Sequence, residues 1–208
     1  MIRTIACLAL VTTLASNSAF ARQGDRSSCP SRSSSDYYFA TGDLEPRDAL
    51  ADLLSRNSYS AYLTAMKEPS LSCGHPGGPT YRFLLLGSFA HSIAVRVSGT
   101  EYGVSLVAVE LDGAGGFSPG KLKRRRATFL QRDQLRKIEN ALSTANFWSM
   151  PTTVVRHGKD GATWILEGVV DRKYHLITRW TPEHDDPVRA IGELFLSIAK
   201  WKGKRAPD

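Results

Sequence analysis

Three successive stretches decide the fold: Tyr81–Ser88 (YRFLLLGS), Ser92–Ser98 (SIAVRVS) and Gly103–Leu111 (GVSLVAVEL). Each is a short run rich in aliphatic residues, with Gly87-Ser88 closing the first and Gly99 following the second, the pattern of consecutive strands. In the second run Ile93, Val95 and Val97 share one face and Arg96 points the other way, as period-2 geometry requires. The third is apolar on both faces, which suits an interior strand covered on each side. Lys121–Phe129 (KLKRRRATF) reads as a fourth strand and is much the most charged.

Working outward, Gln131–Ala145 carries Leu135, Ile138, Leu142 and Ala145 on one helical stripe. Residues 162–169 and 173–180 form a hairpin around Val170-Asp171-Arg172. Asp186 caps a last helix, Pro187 fits its first position, and Val188, Ile191, Phe195 and Ile198 form its buried stripe. Upstream, Ala49, Leu50, Leu53 and Leu54, then Tyr59, Tyr62, Leu63 and Met66, recur at helical spacing over about 46–67, as one broken helix or two short ones. Pro69 and the Gly/Pro-rich stretch Cys73–Pro79 stop them. Hairpin succession with helices grouped outside it predicts an α+β single domain: an antiparallel sheet of five to six strands covered by helices on one face.

The N-terminus reads as a secretory signal. Arg3 supplies a positive n-region, Ile5–Ala15 an uncharged apolar run, and Ala19-Phe20-Ala21 a small-x-small cleavage pattern. The run is too short to span a bilayer, which needs roughly 20 residues, and no later segment is long enough without charges. The expected organisation is a signal over 1–21 cleaved after Ala21, a flexible Ser/Arg-rich arm over 22–42, the domain over 43–202 and a tail over 203–208, in a periplasmic or secreted protein. Cleavage removes Cys7 and leaves Cys29 and Cys73, which in an oxidising compartment pair most simply with each other.

Of the 27 Lys and Arg residues only Arg3 leaves with the signal, so the mature chain stays clearly basic. That charge favours anionic partners in general, an anionic envelope component such as phosphate-bearing lipid or polysaccharide, or an acidic protein; the other reading is that it serves solubility alone. Nucleic acid is not expected as a partner there. Within the fourth strand, alternation predicts that Lys121, Lys123 and Arg125 share a face as a cationic binding stripe, with Arg124 and Arg126 opposite. The same charges would also protect an edge strand from pairing with other chains.

Two motifs suggest chemistry and lack its requirements. Gly116-Phe117-Ser118-Pro119-Gly120 matches a serine-hydrolase elbow, with Asp171 and His184 following in order. However, the residue after the nucleophile must lend its N–H to the oxyanion hole, and Pro119 has none. Gly115…Gly120-Lys121 nearly forms a phosphate loop, but Leu122 stands where a hydroxyl should hold magnesium, and a strand follows where a helix should. The five histidines are scattered without ligand spacing, so neither a metal nor a cofactor is expected.

The hairpin is the densest cluster of functional groups: Trp164, Glu167, Tyr174, His175, Arg179 and Trp180. Glu167 and His175 would form a general acid/base pair if the register joined them. Otherwise the aromatics pack the core and Glu167 pairs with Arg179 or another base. A one-residue slip decides between these readings.

The stretch Asp160–Gly168 (DGATWILEG), Tyr174-His175, Arg179-Trp180 with Pro182, Tyr62-Leu63, Glu68-Pro69-Ser70-Leu71 and Asn146-Phe147-Trp148 resembles a family of uncharacterised exported proteins of Gram-negative bacteria. The resemblance implies an exported α+β protein and assigns no catalytic residue. The functional expectation is therefore a non-enzymatic periplasmic binding or interaction module with a basic surface. The alternative is a small envelope-directed hydrolase using Glu167 and His175.

Overall fold

The computed structural model describes residues 29, 34, 37–74, 76–113, 118–154, 158 and 160–201. The expected signal segment and its cleavage site, most of the arm and the 203–208 tail lie outside them. The elements are α1 (Ala49–Ala65), β1 (Thr80–Gly87), β2 (Ile93–Thr100), β3 (Gly103–Leu111), β4 (Leu122–Leu130), α2 (Arg132–Thr144), a 3₁₀ turn (Phe147–Ser149), β5 (Ala162–Val170), β6 (Lys173–Trp180) and α3 (Pro187–Ile198). None of these helices is long and apolar enough to cross a membrane.

The six strands form one antiparallel sheet in the order β4-β3-β2-β1-β5-β6. β1 to β4 are a meander, as hairpin succession predicts. The chain then returns through α2 and the 3₁₀ turn and inserts β5 beside β1. That insertion makes β1 central, and all eight of its residues are buried. β3 is interior too, one place from the edge. The two-residue β5–β6 turn holds Asp171 and Arg172 at φ 49° and 65°, the left-handed pair that a type I′ hairpin requires.

α2 and α3 cover one face. Leu135 and Ile138 of α2 and Val188, Ile191 and Phe195 of α3 pack on Phe83, Val95, Leu106, Trp164 and Ile177. α3 approaches closely because residue 192 is glycine: a Cβ there would meet Trp164 at 2.6 Å and Phe83 at 2.8 Å. Asp186 accepts from the Val188 N–H at 2.8 Å and caps α3, and Pro187 occupies its first turn, both as the sequence predicts. Burying each large side chain in such a layer contributes roughly 1.5–3 kcal/mol.

A second layer, which the sequence reading does not anticipate, closes the other face. Phe39, Leu44, Tyr62, Leu63, Met66 and Leu71 pack over Leu84, Ala94, Val109, Ile165 and Leu176. The end of the arm expected to be flexible is therefore docked: Phe39 and Ala40 are buried, because the aromatic run Tyr37–Phe39 supplies apolar surface that the Ser/Arg composition conceals. Cys29 and Cys73 are bridged, with Cα atoms 5.7 Å apart, tying this layer together. The Asp43 carboxylate joins its two ends by accepting from the Ala40 N–H and the Ser72 hydroxyl. Burial pushes the Asp43 carboxyl up to about 6 against those two hydrogen bonds.

α1 is one continuous helix, capped by Asp48, and its first half is turned opposite to expectation. Leu50, Leu53 and Leu54 are 66%, 40% and 60% exposed, while Asp52 and Arg56 are buried. The reason is local. Asp52 accepts the N–H groups of Gly42, Leu44 and Glu45 at 2.9–3.1 Å and the Arg56 Nε–H at 2.7 Å. Burial alone would raise its carboxyl; these donors outweigh burial and hold it below its ordinary value. Four satisfied donors around one carboxylate anchor that face of the helix, and the leucines are left outside.

Candidate functional site

The basic strand lies at one end of the sheet, and every residue from Leu122 to Phe129 is exposed. The expected cationic stripe is not continuous. Glu110 pairs with Arg124 and Leu111 with Leu122, so a bulge takes up Lys123 and breaks the alternation. Lys123 Nζ lies 3.2 Å from Glu110 Oε1 and 3.0 Å from His91 Nδ1. Arg124 meets the other Glu110 oxygen at 3.2 Å and lies 4.3 Å over the Trp201 ring. Burial would raise Glu110, but His91, Lys123 and Arg124 prevail and hold it below the usual carboxylate range.

Arg125 alone of the three predicted stripe residues turns toward the α1 layer. It donates to the Met66 carbonyl at 3.0 Å and lies 3.5 Å from Glu68. Lys121 precedes the strand and is exposed, its N–H donating to Asp112. Arg126 donates to the Ala199 carbonyl at 2.6 Å, at the C-terminal end of α3, where a cation is favoured. Cations thus flank both faces of one strand.

The register separates the proposed acid/base pair. Gly168 pairs with His175 and Glu167 with Leu176, so Glu167 and His175 lie on opposite faces of the sheet. The Glu167 carboxylate is wholly buried and accepts from Arg82 Nε at 2.6 Å, Arg82 Nη2 at 2.8 Å and the Tyr174 hydroxyl at 2.9 Å. A carboxylate with these partners and no solvent path is a structural anion. His175 donates from Nε2 to the Met150 carbonyl at 3.0 Å and stacks edge-on against Phe147. Burial lowers its pKa, against the hydrogen bond to Met150.

Sequence reasoning gives Glu167 a partner in Arg179 or another base; that base is Arg82, on the adjacent strand β1. Arg82 is fully buried in the α1 face, and Glu68, Arg96 and Arg125 extend its network. Burial alone would lower the Arg82 pKa, but Glu167 and Glu68 raise it above its ordinary value. Burial and Glu167 likewise push the Tyr174 hydroxyl well up. The visible signal was an arginine inside an otherwise apolar strand.

Among the remaining hairpin residues, Trp164 and Arg179 are paired across the two strands and share a face, while Trp180 lies on the other. Trp164 packs on Phe83 with ring centres 5.2 Å apart. Arg179 spends its guanidinium on the carbonyls of Pro151, Thr152 and Thr178 at 2.7–3.1 Å. With Trp180, Val154, Pro182 and Asp186 it lines a cleft of about 220 Å³.

Ser118 is exposed, and its hydroxyl accepts from the Gly120 N–H; Gly115, Gly116 and Phe117 of the two loop motifs lie outside the described residues. Asp171 sits in the turn of the β5–β6 hairpin and His184 beyond its open end. Eight paired residues at about 3.3 Å each separate them, so no triad forms. Among the described residues no group of three or more His, Cys, Asp or Glu side chains is placed to hold a metal; His75 and His157 are outside them.

No protein-family model and no curated protein matches the chain.

Proposed function

We propose that this chain is a non-enzymatic binding or interaction module of an oxidising compartment outside the cytoplasm, and that it meets an anionic partner through β4. One observation carries the reading. The exposed edge strand and its approach hold Lys121, Lys123, Arg124, Arg125 and Arg126, while the carboxylates that reach them are Glu110 and Glu68. Glu68 is shared with Arg96. The excess positive charge there is solvent-facing and available to a ligand. The Cys29–Cys73 bridge supports the compartment. The locked state of Glu167 supports binding over catalysis.

The test is titration with poly-glutamate. The wild type should bind at low ionic strength and weaken steadily as salt rises, since exposed charges are screened beyond about 10 Å at 0.1 M. Lys121→Gln with Arg124→Gln should bind about tenfold more weakly, because exposed contacts are worth up to about 1 kcal/mol each. Thermal stability should hold. A wild type that fails to bind even at the lowest salt ends this reading.

A further inference from the structure

The sheet treats its two edges differently. At β6 the chain itself closes the edge: Thr153 bridges Thr178 in parallel, and the Thr178 N–H donates to the Thr152 carbonyl at 2.7 Å. At β4, among the described residues, no segment pairs with the outer side. Strand residues direct N–H and C=O groups alternately to either side, so β4 offers an outward row of backbone donors and acceptors. Resting on the reading of β4 as a surface for anionic partners, we propose that it docks an acidic, extended segment of a partner protein, which adds to the sheet as a further strand.

Three features point to a peptide strand. The cations border the edge on both faces: Arg124 and Arg126 pair with Glu110 and Ala108, and Arg125 with Val109. An added strand also alternates its side chains between faces, so successive acidic residues meet cations on each. A bilayer surface supplies phosphate but no backbone groups to complete the outward row, the main source of affinity in strand addition. Finally, β4 changes character along its length. Basic residues end at Arg126, and Ala127-Thr128-Phe129-Leu130 follow. Phe129 is 85% exposed, and Tyr102, in the β2–β3 turn at the same end of the sheet, is 92% exposed. The segment that fits is acidic against residues 123–126 and apolar against 127–130.

A second copy of the chain fits poorly. Antiparallel self-pairing about the middle of β4 sets Arg126 against Arg126, and like charges directly opposite destabilise a pair. The charges that block self-association are those that select an acidic strand.

The probe is a synthetic peptide matching the nine residues of β4 in length, with consecutive Glu residues in one half and Val, Thr and Phe in the other, made in both sequence orders. One order should bind the mature, disulfide-bonded protein and slow amide exchange within 122–130. Replacing its Glu by Gln should weaken binding about tenfold, and the Arg124→Gln protein should bind up to about fivefold more weakly. N-methylation of alternate peptide amides should abolish binding on one edge of the peptide and leave it intact on the other. Equal binding of both N-methylated forms overturns strand addition. So does a wild type that sediments as a dimer through β4. If poly-glutamate or phosphatidylglycerol vesicles bind and neither peptide does, strand addition fails while the anionic-partner reading stands. If no anionic probe binds, both fail.

Discussion

Arg82→Met should lower the unfolding free energy by about 3–5 kcal/mol, the usual loss when one member of a buried ion pair is removed. The substitution keeps the bulk of the side chain but strands the Glu167 carboxylate. Glu167 would retain the Tyr174 hydroxyl, and no cation would face it from β1. The Arg82 bond to the Pro69 carbonyl, 2.6 Å long, would also go, loosening the layer that covers the α1 face. Glu167→Gln should cost less, about 1–3 kcal/mol, because an amide fills the same space and can accept one hydrogen bond. The double variant Arg82→Met with Glu167→Leu should recover at least half of the single loss, since well-packed apolar replacements of buried ion pairs are often close to neutral. Urea unfolding of the wild type and the three variants measures these differences. A loss under about 1 kcal/mol for Arg82→Met would contradict the network.

Removing the Cys29–Cys73 bridge is the other change with a large expected effect. The bridged residues are 44 apart in sequence, and a loop of that size stabilises by roughly 4 kcal/mol through the unfolded chain. Phe39, Leu44 and Leu71 belong to the layer that this bridge ties down. Cys29→Ser with Cys73→Ser should therefore lower the urea midpoint strongly. It should also speed amide exchange over 37–45 well before the sheet opens, because Cys73 and Ser70 hold the returning end of that layer. An unchanged midpoint would show that the packed aromatics fix the layer unaided.

Local signals carried most of the fold. Period-2 runs marked the strands, the Asp186-Pro187 pair marked the start of α3, and the two cysteines outside the expected signal segment implied their bridge. What was hidden depends on distant partners. Arg82 and Glu167 are 85 residues apart, and only the insertion of β5 beside β1 brings them together. The periodicity of α1 offered two faces, and nothing in it told that Asp52 would gather the backbone of the 42–45 loop and turn the leucines outward. The hairpin register was accessible in principle. Reading Asp171-Arg172 as a two-residue turn pairs Val170 with Lys173 and sends Glu167 and His175 to opposite faces. The bulge at Lys123, which breaks the cationic stripe, leaves no mark in the sequence.

The central claim is that the β4 edge is where this protein meets its anionic partner. Hydrogen exchange followed peptide by peptide, with and without saturating poly-glutamate at low salt, tests it most directly. The account predicts slowed exchange confined to β4 and its immediate neighbours, lost again when salt is raised. Protection centred instead on the cleft lined by Val154, Arg179, Trp180, Pro182 and Asp186, with β4 unchanged, would contradict it.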